Sequence, residues 1–254
     1  MNKIWILAKN SLREFIRDRI VVVCLFISVL LMAVSFLLGA LSFSEQQRIL
    51  AHLGLTAIHL AGLGIACFFG SFVIAREVEK QTCLLVLARP LTRSQFFLGK
   101  LLGVQTLMTL VFGLLALVLF VLLQMNFSFV NYVEVLWGMY LEITVLISLA
   151  FFFSQIMRPS VALFFSTLGL FLIGNWMEEL TFFARKMKSD ELHLLSEFVE
   201  WFLPNLYRFN WRSVVYLEKG VSNANLLWVS LHAFGWILLL TAASNFFFRR
   251  KDLV

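Results

Sequence analysis

Six long apolar runs constrain this 254-residue chain more than any other feature of its sequence. They cover residues 20–41, 54–75, 101–123, 135–157, 161–177 and 226–248. Most are close to the roughly 20 residues that an α-helix needs to cross a bilayer. Hydrophobic residues make up 61% of the chain and charged residues 14%, and the runs do not alternate polar and apolar residues as barrel strands would. The sequence therefore predicts an all-α membrane protein, a single domain with six transmembrane helices.

The Lys and Arg residues are distributed unevenly between the two sides of the membrane. With six spans, both termini lie on one side, together with the loop 76–100 that joins the second and third spans. Most of the 21 basic residues fall in segments on that side. Because short cytoplasmic loops carry an excess of Lys and Arg, we predict that both termini and this loop are cytoplasmic. The net charge of +6 is then a topology signal, and no nucleic-acid partner is expected.

Residues 1–19 precede the first span and have a helical pattern of their own. Apolar residues recur along one stripe, while Lys9, Arg13 and Arg17 repeat every four residues on another. A basic amphipathic helix of this kind lies in the membrane interface and contacts lipid. The alternative is a positively charged flank without helical structure.

Residues 178–225 are too long for a simple turn and are predicted to lie outside the membrane. Ser189 can cap a helix that has two acidic residues in its first turn and an apolar stripe along its length. Pro204 should end that helix. We predict an external helical segment followed by an irregular return to the last span.

The loop 76–100 combines positive charge with many Leu, Val and Phe residues. Its basic residues are Arg76, Lys80, Arg89, Arg93 and Lys100. A segment this polar cannot lie in hydrocarbon, and one this apolar is poorly suited to a flexible linker. We predict a cytosolic hairpin with an amphipathic helix that docks on a soluble protein. The alternative is a solvated basic loop without a partner.

The sequence contains no recognisable catalytic or cofactor motif. Gly99 and Lys100 lack both the earlier glycine and the following hydroxyl of a phosphate-binding loop. The three cysteines, Cys24, Cys67 and Cys83, are widely spaced and form no CxxC pair. We therefore expect a protein that is not an enzyme, with no catalytic residues, no metal site and no cofactor in this chain.

Four polar residues in the apolar runs lie at a similar predicted depth: His59, Glu142, Asn175 and His232. Measured along each helix from its cytoplasmic end, all four are about 25 Å from the cytoplasmic side at 1.5 Å per residue. A carboxylate within the membrane commonly marks a transport pathway. The residues either form a polar layer around an internal cavity or lie at the outer membrane interface, where polar groups are tolerated.

The second apolar run carries small residues at a helical spacing, namely Gly62, Ala66 and Gly70. Such a stripe allows another helix to approach closely. The sequence leaves open whether that helix belongs to the same chain or to a second copy.

The hairpin resembles a known family through three short motifs. They are EVEKQT at 77–82, LARPLTR at 87–93 and GKLLG at 99–103. Together they are similar to the first cytoplasmic loop of ABC-2 type transporter permeases. Within that family they are most similar to the subgroup associated with multi-copper enzyme maturation. The LPNLYRFN motif at 203–210 is also similar to that subgroup. One departure is Gln81, where the family has glycine.

The resemblance implies a transmembrane subunit that exports its substrate across the bacterial cytoplasmic membrane. It implies a dimer with a second permease copy, and two copies of a separate ABC ATPase that binds ATP and Mg²⁺. The positions that match the family's docking loop are Glu77, Glu79, Thr82, Arg89, Pro90, Arg93 and Lys100.

Two other classes of protein remain open from the residues alone. A secondary carrier or channel would work without an ATPase, but such proteins carry ionisable groups and broken helices in related halves. No symmetry of that kind is visible in this sequence. A membrane scaffold for an assembly complex is the other alternative, because no substrate contact can be identified from the sequence.

Overall fold

The computed structural model describes residues 3–41, 46–79, 91–123, 128–157, 160–187, 203–212 and 220–250. Within these ranges the chain forms helices joined by short non-helical segments. The α-helices are α1 (Lys3–Ile16), α2 (Arg19–Ala40), α3 (Gln46–Ile65), α4 (Ser71–Glu79), α5 (Arg93–Leu122), α6 (Phe129–Ile156), α7 (Ser160–Met187) and α8 (Asn223–Arg250). A π-helical turn, Ala66–Gly70, joins α3 to α4, and a 3₁₀ turn covers Leu206–Phe209.

The long helices are apolar enough to cross a membrane, which confirms the prediction of an all-α membrane protein. Five helices qualify by length and composition: α2, α5, α6, α8, and the continuous helix formed by α3, the π-helical turn and α4. The stretch Val161–Met177 of α7 is a shorter apolar segment. Several helices extend beyond their apolar runs. For example, α7 continues past its apolar run to Met187.

Helix α6 lies at the centre of the bundle and packs against α3 and α4. A Cβ atom added to Gly62 would lie 2.1 Å from Cδ1 of Ile143, and one added to Gly70 would lie 2.6 Å from Cβ of Ala150. Both contacts come from α6 of the same chain. The small-residue stripe therefore serves close packing inside the protomer, where the missing side chains let two backbones approach.

Helix α1 packs along the beginning of α5. Its buried residues are Ala8, Ser11 and Phe15. On α5, an added Cβ at Gly99 would lie 2.7 Å from Cβ of Leu7, and one at Gly103 would lie 2.7 Å from Cβ of Ser11. The apolar stripe predicted for residues 1–19 thus faces another helix, and the exposed side carries the basic residues.

The two legs of the loop 76–100 and the end of α8 meet at one end of the bundle, here called the hairpin end. Arg93 Nη1 donates to the carbonyl of Arg249 at 3.1 Å, and the rings of Phe96 and Phe248 stack with centroids 5.9 Å apart. The opposite end is called the far end. The external helix predicted to begin at Ser189 lies outside the described residues.

Candidate functional site

At the hairpin end, Lys100 joins three separate helices through ion pairs, and we call Glu14, Glu77 and Lys100 the hairpin-end cluster. Lys100 Nζ lies 3.3 Å from Glu14 Oε2 of α1 and also contacts Glu77 Oε1 of α4. The ammonium lies 5.7 Å from the ring centroid of Phe15. Lys100 is buried while Glu14 is exposed. The cluster therefore connects α1 to both legs of the hairpin.

The second leg of the hairpin begins with a capping box. The Thr92 hydroxyl accepts from the backbone N–H of Gln95 at 3.2 Å, and the Gln95 side chain accepts from the backbone N–H of Thr92 at 3.1 Å. Two backbone donors that the helix cannot satisfy internally are thereby paired. The sequence motif Thr-x-x-Gln was the available signal for this helix start, and sequence reasoning overlooked it.

The predicted docking residues are only partly described. Glu77 and Lys100 come together, Glu79 ends α4, and Arg93 contacts the end of α8. Thr82, Arg89 and Pro90 lie outside the described residues.

A cavity of about 370 Å³ lies beside the hairpin-end cluster. Its walls combine aromatic rings from the π-helical turn and α4, such as Phe68 and Phe72, with the carboxylates of Glu14 and Glu77. The guanidinium of Arg76, another lining residue, lies over the Phe72 ring at 4.9 Å. Because Glu14 and Glu77 stand on different helices, their shared contact with Lys100 holds two walls of this cavity together.

Three of the four residues predicted to form a polar layer contact one another. Glu142, on α6, is 1% exposed. Its Oε2 accepts from His59 Nε2 of α3 at 3.0 Å, and its Oε1 accepts from Asn175 Nδ2 of α7 at 2.9 Å. A buried carboxylate needs such partners because desolvation without hydrogen bonds is costly. Three membrane helices are thus joined through one carboxylate.

His232 does not join this group. Its ring lies 6.4 Å, between centroids, from Phe209 and 6.4 Å from Trp236. Its Nε2 is buried and has no hydrogen-bond partner among the described residues. A similar predicted depth was therefore insufficient to predict that His232 contacts the other three residues, because residues at one depth can still face different neighbours around a bundle.

The missing member of the group is Arg212, which sequence reasoning did not select. Its guanidinium donates to Nδ1 of His59, so the proton of a neutral His59 ring sits on Nε2 and faces Glu142. The imidazole thus lies between a guanidinium and a carboxylate. We call His59, Glu142, Asn175 and Arg212 the polar cluster.

Arg212 reaches His59 because residues 203–212 enter the bundle. Leu206 is 1% exposed and Phe209 is fully buried. An added Cβ at Gly138 of α6 would lie 2.7 Å from the carbonyl oxygen of Phe209, and one at Gly174 of α7 would lie 2.8 Å from Cγ of Leu206. The apolar residues of the LPNLYRFN motif were a signal for this burial, whereas the sequence analysis placed the whole of 178–225 outside the membrane.

A family model described as ABC-2 family transporter protein matches residues 5–253. The match covers nearly the whole chain and therefore includes both clusters and the hairpin. No curated protein matches the chain. Among the described residues, no group of three or more His, Cys, Asp and Glu side chains is arranged to hold a metal ion.

Proposed function

Because the chain belongs to the ABC-2 family of transporter proteins, we propose that it is the permease subunit of an exporter whose separate ATPase docks on residues 76–100. A permease of an ABC transporter works with an ABC ATPase, and this chain contains no phosphate-binding loop of its own. ATP and Mg²⁺ would then be bound by the partner, and this chain would supply the path across the membrane.

The hairpin-end cluster is the observation that carries the docking proposal. Movement of an ATPase can drive transport only if its docking segment is mechanically connected to the membrane helices. Lys100 provides such a connection, because its ion pairs join α1 and α4 to α5. The contact of Arg93 with the end of α8 adds another. A force on the hairpin would therefore reach several helices at once.

We further propose that two copies of the permease assemble with two copies of the ATPase in the bacterial cytoplasmic membrane. The excess of Lys and Arg in the short loops favours a cytoplasmic location for the hairpin and both termini. The contacts of α1 with α5, and of Arg93 with Arg249, bring the N-terminal helix, the hairpin and the end of α8 to the same end of the bundle. A cytoplasmic hairpin end is consistent with both observations.

Charge reversal at the hairpin tests the docking proposal. The double variant Glu79→Lys with Arg93→Glu inverts the charge at both legs of the hairpin, so like charges would face the ATPase surface that the native residues fit. We expect the ATPase to be lost from the permease during purification in detergent, while the permease keeps its elution position in size-exclusion chromatography. The measurement is the ratio of the two subunits in the purified sample.

Two controls isolate docking from folding. Arg93→Ala removes the contact with the Arg249 carbonyl without inverting the charge, and Arg250→Glu inverts a charge at the same end outside the hairpin. Arg250→Glu should retain the ATPase fully, and Arg93→Ala, which removes one charge of the hairpin without reversing it, should retain more ATPase than the double variant. A double variant that still co-purifies with a full complement of ATPase contradicts docking on residues 76–100.

A further inference from the structure

The cavity beside the hairpin-end cluster lies between two walls that belong to different parts of the chain. One wall is the junction of α1 and α2, where Asp18 and Ile20 line it, and the other is the π-helical turn with α4. Asp18 directly precedes α2, which is apolar enough to cross the membrane. A site at the point where a span begins lies at the level of the lipid headgroups. Its volume of about 370 Å³ falls within the range of roughly 300–1,000 Å³ that is typical of ligand pockets.

Carboxylates and aromatic rings line this cavity together, and both favour a cation. Glu14, Asp18 and Glu77 come from three different elements. Lys100 pairs with Glu14 and Glu77, and Arg76 also lines the cavity. Among these described side chains the carboxylates still outnumber the cations. An ammonium group in the cavity would therefore find acceptors for its hydrogens and aromatic faces for its charge.

Arg76 supplies the opposite charge at the solvent side of the cavity. It is exposed, and its guanidinium lies over the Phe72 ring at 4.9 Å from the centroid, which holds the arginine against the wall. A guanidinium binds phosphate through paired N–H donors. The site thus combines acceptors for an ammonium with donors for a phosphate. A ligand that carries both groups fits it better than a simple cation or a simple anion.

The aromatic wall of the cavity borders apolar surface that faces the membrane. The rings of Phe68 and Phe72 pack on Phe164 of α7, with centroids 5.0 Å and 6.4 Å apart, and the adjacent Phe165 is exposed. On α2, the exposed Phe26 follows the lining residue Ile20 by about 9 Å along the helix. A free, water-soluble zwitterion would gain nothing from these surfaces, whereas acyl chains would be stabilised by contact with them.

We propose that the cavity binds the headgroup of an aminophospholipid, phosphatidylethanolamine, from the leaflet at the hairpin end. The ammonium would lie among the carboxylates of Glu14 and Asp18, and the phosphate would contact Arg76. The lipid is a bound component that bridges the α1–α2 junction and α4 beside the hairpin-end cluster, and it is distinct from a transported substrate. This proposal does not rest on the docking of an ATPase.

Native mass spectrometry of the purified permease in detergent tests the proposal. The protein is titrated with phosphatidylethanolamine, phosphatidylcholine and phosphatidylglycerol that carry identical acyl chains, and the lipid retained per chain is counted. We expect one phosphatidylethanolamine per chain to be retained with a dissociation constant about tenfold or more below those of the other two lipids, because choline has no N–H donors and glycerol has no positive charge.

Three variants locate the binding site. Asp18→Asn removes a charge but keeps the side-chain acceptor for the backbone N–H of Ile20, now at 3.0 Å, so α2 should still begin normally. Arg76→Gln removes the phosphate donor, and Phe72→Leu removes an aromatic face but keeps an apolar wall. Each should weaken phosphatidylethanolamine about fivefold or more and bring its affinity closer to that of phosphatidylcholine.

Matched controls separate this site from general lipid contact. Arg13→Gln changes an exposed arginine of α1 that does not line the cavity, and Glu179→Gln changes an exposed carboxylate of α7. Both variants should retain phosphatidylethanolamine as the native protein does. All five variants should keep the native elution position in size-exclusion chromatography. Glycerophosphoethanolamine, which has the same headgroup without acyl chains, should displace the lipid only at a concentration at least about a hundredfold higher.

Four results would overturn the proposal. Equal retention of all three lipids would mean that the lipid contact is unspecific, and equal retention of phosphatidylcholine and phosphatidylethanolamine would exclude recognition of a primary ammonium. Native affinity in the three cavity variants would place the lipid elsewhere. Displacement by an equal concentration of glycerophosphoethanolamine would identify a soluble ligand in place of a lipid. The experiment uses the permease alone, so each of these results would leave the docking proposal intact.

Discussion

Glu14 and Glu142 accept from nitrogen donors at similar distances, 3.3 Å from Lys100 and 3.0 Å from His59, yet their surroundings differ greatly. The side chain of Glu14 is 66% exposed, whereas that of Glu142 is 1% exposed. Water and salt screen the first contact, whereas the second is buried and is screened much less. The comparison shows that burial, more than hydrogen-bond length, decides how much each contact contributes to stability.

The two clusters also differ in how easily water can replace the contacts within them. In the hairpin-end cluster, an exposed Glu14 can exchange Lys100 for water at little cost. In the polar cluster, His59 and Glu142 are buried, so water cannot easily replace the partners that satisfy them. We therefore expect mutational effects to fall in the order of burial, from Glu142 through Lys100 to Glu14.

The largest effect is expected for Glu142→Leu. It removes the acceptor for His59 and Asn175 and the counter-charge for Arg212, which should destabilise the protein by about 3–5 kcal/mol. Glu142→Gln keeps hydrogen-bonding capacity and should cost less, since fewer buried polar groups lose a partner. Thermal unfolding of the purified protein in detergent measures both, and Glu179→Leu, the same change at an exposed position of α7, is the control. Equal stability of Glu142→Leu and the native protein would mean that the residue lies in a solvated interface.

An intermediate effect is expected for Lys100→Met. Methionine keeps the length of the apolar stem but removes the charge that joins Glu14 to Glu77, so we expect a loss of about 1–3 kcal/mol. We also expect ATP hydrolysis to become less dependent on the permease, because the charge that links Glu14 of α1 to Glu77 on the other leg of the hairpin is lost. Lys9→Met, at an exposed position of α1, is the matched control. A Lys100→Met protein with native stability and native coupling would argue against the cluster as a mechanical link.

The smallest effect is expected for Glu14→Gln. Exposed ion pairs contribute under about 1 kcal/mol, and salt screens them further. The stability difference from the native protein should therefore shrink as ionic strength rises from low to high salt in the same unfolding assay. A larger loss of stability that is insensitive to salt would show that Glu14 is shielded from solvent in the purified protein. The hairpin-end cluster would then resemble the polar cluster in its burial.

Much of this architecture could be predicted from the sequence because it depends on local composition. The apolar runs indicate membrane helices, since hydrocarbon excludes unpaired polar backbone. The stripe of Ala8 and Phe15 predicts one packed face of α1, and the stripe of Gly62 and Gly70 predicts close helix packing. Depth along a helix could also be estimated, which is why His59, Glu142 and Asn175 were selected together. The site residues that required knowledge of other segments, Glu14 and Arg212, were missed.

By itself, the sequence determined the class of fold, the family resemblance of the hairpin and the depth of the polar side chains, because each follows from residue type and spacing along one helix. Only the tertiary structure decided which helix faces Gly62 and Gly70, that Lys100 pairs with Glu14, and that His232 stands apart from His59. It also decided that residues 203–212 turn inward. These outcomes depend on the rotation of each helix about its axis and on how loops fill the space between helices, and such relations among distant segments are set by packing rather than by local pattern.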